Sequence, residues 1–146
     1  VRQSLRQAGC SFEEIRYGSY RPEDYTAALH RCRCLLFLCE HESQGIAYQE
    51  AMSAGLPVLA WDPEKWLDPQ RFKWDTPDVD ASSVPFFDER CGERFKNAKA
   101  FPDKLGAFLE KLRSDQFDPR SYMLDNLTLA KSAEHYVQLL EETSRL

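Results

Sequence analysis

Two short apolar runs frame the most patterned part of the chain. Cys34-Leu-Leu-Phe-Leu-Cys39 and Pro57-Val-Leu-Ala-Trp61 are continuous rather than alternating, as in strands covered on both faces of a parallel sheet. Between them, a polar loop leads into residues 45–54, which read as a helix stopped by Gly55 and Pro57. Upstream, residues 11–17 read as a strand of mixed patterning that ends at Gly18. Residues 22–31 read as a helix, with Pro22 in its first turn and Glu23 and Asp24 at the positive end of its dipole. Tyr25, Ala28 and Leu29 share one face of it at spacings of three and four.

Periodicity fades from residue 62 to residue 85, where Asp, Pro and the tryptophans Trp61, Trp66 and Trp74 dominate. Loops of that length in compact domains tend to be lids or contact surfaces, and Trp side chains also serve simply to pin such an excursion to a core. Residues 84–87 are expected to form a short strand. Residues 102–113 form an amphipathic pattern, with Leu105, Phe108, Leu109 and Leu112 on one stripe. Asp118-Pro119 has the form of an N-cap followed by proline at the first helical position. A last helix is expected over residues 127–140, with Leu129, Ala133, Tyr136, Val137 and Leu140 on one side.

Alternating strands and helices with short links predict an α/β fold: a Rossmann-like parallel sheet flanked by helices, with extra helices at the C-terminus. A length of 146 residues suits one domain, 1–146. Residues 1–9 read as the tail of a helix closed by Gly9, so the chain is expected to be part of a longer, two-domain protein.

Composition narrows the partners. A net charge of −5, with no long basic block, argues against a nucleic-acid face. No apolar run approaches the length needed to span a bilayer, and the first residues lack the apolar segment of an export signal. The five cysteines Cys10, Cys32, Cys34, Cys39 and Cys91 make an odd set, read as reduced thiols in a cytoplasmic protein. His30, Cys32, Cys34 and His41 are not expected to hold a metal, because no Cys-x2-Cys pair occurs and a strand cannot turn them to one point.

The chemistry concentrates in Glu42-Ser-Gln-Gly-Ile-Ala-Tyr-Gln-Glu50. Gly45 lets backbone approach a ligand closely, having no β-carbon. The free amides of Gly45, Ile46 and Ala47 at a helix start form an anion pocket backed by the dipole, suited to a diphosphate. Glu42 precedes the helix and Glu50 lies within it. Ionised carboxylates accept hydrogen bonds only, and so suit the vicinal hydroxyls of sugars. Sugars on both sides of a diphosphate describe a nucleoside-diphosphate sugar. The plainer alternative makes Glu42 a solvated loop acid and Glu50 a cap or ion-pair partner.

Residues 15–62 resemble the donor-binding half of retaining GT-B glycosyltransferases, in Tyr17-Gly18, the Leu35-Leu-Phe-Leu strand, Glu42-x7-Glu50 and Glu-Ala-Met-Ser-Ala-Gly-Leu-Pro-Val. The resemblance implies a hexosyltransferase. Glu42 would then lie by the donor sugar as the catalytic candidate, and Glu50 would hold the nucleotide ribose. Ser43, Gln44, Gly45, Ile46 and Ala47 would supply the loop and helix start that bind the diphosphate. No metal or other cofactor is implied, and the acceptor is not specified. The family's usual Glu-Gly-aromatic-Gly is replaced by Glu42-Ser43-Gln44-Gly45, which bears on sugar choice and binding strength. Its diphosphate-gripping Arg/Lys pair and its acceptor-binding N-terminal domain fall outside this sequence, so the domain alone is expected to bind donor weakly and not to catalyse transfer. Gly45 to Glu50 also has the look of nucleoside deoxyribosyltransferase-like proteins, in which the Glu is a nucleophile. A third possibility is a non-catalytic nucleotide-binding or docking domain.

Overall fold

The two apolar runs become neighbouring parallel strands. In the computed structural model, which describes residues 1–69, 73 and 79–144, the chain runs α1 (Arg2–Gln7), α2 (Pro22–Arg31), β1 (Leu35–Leu38), α3 (Ile46–Ser53) and β2 (Val58–Trp61). It continues through β3 (Gly92–Phe95), α4 (Phe101–Arg113), α5 (Pro119–Asn126) and α6 (Leu129–Thr143). The three strands form an open parallel sheet in the order β1-β2-β3. Helices flank it, an α/β arrangement compatible with a Rossmann-like fold.

Alternation along the strands sends side chains to two separate cores. Leu35, Phe37, Val58 and Ala60 join Tyr48 and Met52 of α3 on one face, with Val84 and Cys91. Leu36, Leu59, Trp61 and Phe95 join Phe101, Leu105 and Phe108 of α4 on the other, with Leu5 of α1. Each fully buried aliphatic or aromatic side chain contributes roughly 1.5–3 kcal/mol of transfer energy, so these two faces hold the sheet. The Cys91 thiol is desolvated here, and burial pushes its pKa up to about 12.

The register also places one charge. Glu93 stands opposite Leu59, on the α4 face, and accepts from Lys104 and Lys111 of that helix. Burial alone would raise its pKa, but the two lysines outweigh it and the net shift is downward. On the opposite face, α5 is fastened to α3 by Arg120, which donates to the Ser53 carbonyl. Arg90 bridges Asp88 and Asp125 across the Tyr122 ring.

Helix ends follow local chemistry. The Asp118 carboxylate accepts from Ser121 N–H at 3.1 Å, and Thr128 accepts from Lys131 N–H at 3.2 Å. Thr128 therefore starts α6 at Leu129, two residues after the expected start. The stripe of α6 is exposed, Leu129 by 88%.

Two expected strands do not form, and one unexpected strand does. Residues 11–16 carry no regular structure. Glu13 and Glu14 there pair with Arg31 and Arg2, and the segment has no strand beside it in the three-stranded sheet. Residues 84–87 fail as a strand because Pro85 has no N–H to donate and Phe86 N–H goes to the Tyr48 hydroxyl at 3.1 Å. The third strand is Gly-Glu-Arg-Phe, whose charged pair hid it from an apolar-run criterion. The backbone N–H of Trp66 donates to the Val79 carbonyl at 2.9 Å, closing the neck of the long excursion. Trp74 lies outside the described residues.

Glycine is required at position 92. Its φ is 144°, and a β-carbon there would stand 1.9 Å from the Val58 carbonyl oxygen. Gly92→Ala is therefore expected to cost about 2 kcal/mol or more in urea unfolding. Gly106→Ala, in α4 with nothing within 4 Å of the added carbon, is expected to gain about 0.5–1 kcal/mol. An unchanged midpoint for Gly92→Ala would refute the packing of β3 on β2.

Glu93 generates a pH prediction. Its depressed folded pKa contributes stability that is fully present above its ordinary value of 4.5 and is lost as the pH falls through the lower folded value. Glu93→Gln should lower the unfolding midpoint at pH 7, and the gap should close as the pH falls from 4.5 through the lower folded value.

Candidate functional site

Because the strands are parallel, the loops that follow β1, β2 and β3 share one edge of the sheet, the edge at which open α/β sheets bind ligands. α3 begins there, and its start is shaped by a single steric conflict. Gly45 adopts φ 72° and ψ 49°, and a β-carbon on it would lie 2.0 Å from Tyr48 Cε1. The Tyr48 ring cannot retreat. It is fully buried against Phe37, with centroids 5.6 Å apart, and its hydroxyl accepts from Phe86 N–H. Burial raises the Tyr48 pKa and keeps the hydroxyl protonated.

The same start is left without a side-chain cap. Its first intrahelical bond is Gln49 N–H to the Gly45 carbonyl, at 3.2 Å. The amides of Gly45, Ile46 and Ala47 precede that bond and have no intrahelical acceptor, at the end where the dipole favours an anion; Gly45 itself is buried and Ile46 exposed. α1 and α4 likewise lack a side-chain cap, whereas α5 and α6 receive one.

Each expected site residue can now be placed. Glu42 is half-buried on the loop after β1. Its N–H donates to the Ser82 carbonyl at 2.9 Å, and its carboxylate accepts from the Cys39 thiol at 3.5 Å. Burial, with that carboxylate beside it, pushes the Cys39 pKa up. Ser43 and Gln44 are exposed, and the Gln44 carbonyl accepts from the Gln49 side chain. Ile46 is 67% exposed. The Ala47 carbonyl accepts from Tyr25 Oη at 2.6 Å, which ties α2 to the first turn of α3.

Glu50 is exposed on the flank of α3. It lines a shallow open groove of about 490 Å³ with Thr26 and Leu29 of α2, Gln49 and Ser53 of α3, and Met123 of α5. Glu42 is not among the walls of that groove. One carboxylate thus stands at the loop before α3 and the other on its flank, with the helix start between them.

Several residues of this edge carry no sequence signal of their own. Asp62 follows β2 and is 1% exposed, yet its carboxylate accepts from Ser82 Oγ at 2.8 Å and pairs with Arg94 at 3.6 Å. An aspartate just past an apolar strand is the one cue that could have pointed to it. His41 meets Trp66 edge-on, with ring centroids 6.0 Å apart, so the excursion touches the Glu42 loop.

Among the described residues no group of three or more His, Cys, Asp or Glu is placed to hold a metal ion. Cys32 instead donates to Glu13. No helix among them is long and apolar enough to cross a membrane. No family model, curated protein or solved structure matches this chain.

The Gly45–Tyr48 conflict is testable by substitution. Gly45→Ala should lower the thermal midpoint by about 4 °C or more, because both the left-handed backbone and the ring contact resist a β-carbon. A midpoint within a degree of the parent's would show that α3 starts differently.

Proposed function

We propose that this chain is the donor-binding half of a GT-B glycosyltransferase, a Rossmann-like domain that holds a nucleoside-diphosphate sugar for hexosyl transfer to an acceptor. The observation that carries the reading is the start of α3. An uncapped helix N-terminus, opened by a left-handed Gly45, sits at the carboxyl edge of a parallel sheet, with Glu42 on the loop before it and Glu50 within the helix.

In this reading the amides of Gly45, Ile46 and Ala47 receive the diphosphate, and the α3 dipole offsets part of its charge as the leaving group develops. Glu50, on the exposed flank, accepts from the ribose hydroxyls. Glu42 lies on the sugar side and is the catalytic candidate. Its half-buried position and bonded backbone would hold the carboxylate steady against the transferring sugar. Ser43 and Gln44, both exposed, would meet the donor from the loop. The acceptor would be presented by a separate N-terminal domain. The thiols, all free, suit a reducing compartment.

Titration of the chain with UDP, GDP and ADP, followed by ligand-observed NMR, tests the reading. Weak saturable binding of one nucleotide is expected. Glu50→Ala should weaken it by about tenfold, the loss of hydrogen bonds to one charged group. Glu42→Ala should leave nucleoside-diphosphate affinity nearly unchanged, since Glu42 serves the sugar. Absence of saturation with all three nucleotides would remove the support for a donor site.

A further inference from the structure

We infer that Asp62 and Ser82 are positioning residues for Glu42, linking the long excursion after β2 to the candidate donor site; the inference deepens the reading above and rests on it for its functional meaning. A carboxylate excluded from water is costly unless its oxygens are satisfied. Asp62 is 1% exposed and its oxygens are well supplied. Oδ1 accepts from Glu64 N–H at 3.2 Å and from Ser83 N–H at 3.3 Å. Oδ2 accepts from Ser82 Oγ at 2.8 Å and faces Arg94 Nη1 at 3.6 Å. The Asp62 backbone is itself fixed, its N–H donating to the Phe95 carbonyl at 2.9 Å. Asp62 is therefore an anchor on the sheet that grips both limbs of the excursion.

Ser82 passes that anchoring on. Its hydroxyl donates to Asp62 and accepts from Val84 N–H at 3.0 Å. Its carbonyl, held between these two bonds, accepts Glu42 N–H at 2.9 Å. The route from β2 to the Glu42 backbone is thus two hydrogen bonds long: Ser82 Oγ–H to Asp62, and Glu42 N–H to Ser82. A loop from one strand end holds the loop of the next, and the carboxylate expected to meet the sugar sits on the held loop. The returning limb of the excursion thus sets the backbone at Glu42.

Amide hydrogen exchange by NMR on the whole chain tests this directly. Ser82→Ala removes the hydroxyl and keeps the carbonyl; Asp62→Asn keeps the shape and removes the charge; Ser82→Thr restores a hydroxyl. In Ser82→Ala and Asp62→Asn the Glu42 amide should exchange about tenfold faster, as expected for loss of a hydrogen bond to a buried charge. The Leu59 and Phe108 amides, in β2 and α4, should keep their parent rates, and Ser82→Thr should return the Glu42 amide toward the parent rate. An unchanged Glu42 rate, or a rise matched by Leu59 and Phe108, would overturn the inference. If Asp62→Asn fails to fold, the Ser82 pair decides alone. Binding of the best of UDP-glucose, GDP-mannose and ADP-glucose is the second readout, with weaker binding in Ser82→Ala and recovery in Ser82→Thr. Equal affinities would overturn the positioning role. If the parent chain binds none of the three, the donor reading falls, and the exchange rates still decide whether Asp62 and Ser82 hold Glu42.

Discussion

β2 is the constraint on which the other elements depend. It is flanked by strands on both edges and by helices on both faces, so its backbone groups must find partners within the sheet and its side chains must be apolar. Val58, Leu59 and Ala60 are each 1% exposed or less. Everything that touches them is placed by them. α3 covers Val58 and Ala60, α4 covers Leu59, and Gly92 is glycine because the Val58 backbone already occupies the space of its β-carbon. The hydrophobic effect supplies the drive, and the desolvated hydrogen bonds supply the direction.

The candidate site inherits that rigidity through two side chains. Tyr48 joins α3 to β1 through Phe37 and to residue 86 through its hydroxyl. Its ring also forces glycine at position 45, so burial in the core and the opening of the helix start are one packing event. Asp62 works from the other strand, fastening residues 64, 82 and 83 to the end of β2. A binding edge needs exposed donors that do not collapse onto each other. Here the groups behind the start of α3 are locked.

Carboxylate placement shapes the chemistry that such an edge can support. Two acids pointing into one pocket would raise each other's pKa and suit shared-proton chemistry. Glu42 and Glu50 instead stand apart, one on the loop and one on the helix flank that lines the groove.

What could be read from the sequence was whatever local physics controls. The α2 bounds, the β1–α3–β2 succession and the Asp118 cap all rest on interactions within a few residues, and each was legible. Tertiary structure decided the rest. Residues 11–17 have strand-like composition, yet a strand exists only beside another strand, and their acids found arginines instead. β3 formed from a charged tetrapeptide because β2 offered it an edge and α4 offered Glu93 two lysines. β1 reads as a strand covered on both faces, but it lies at the edge of the described sheet and stays partly open. The grip of Asp62 on Ser82 joins residues 20 apart in sequence. Such contacts follow from how chain segments meet in space, which no local pattern encodes.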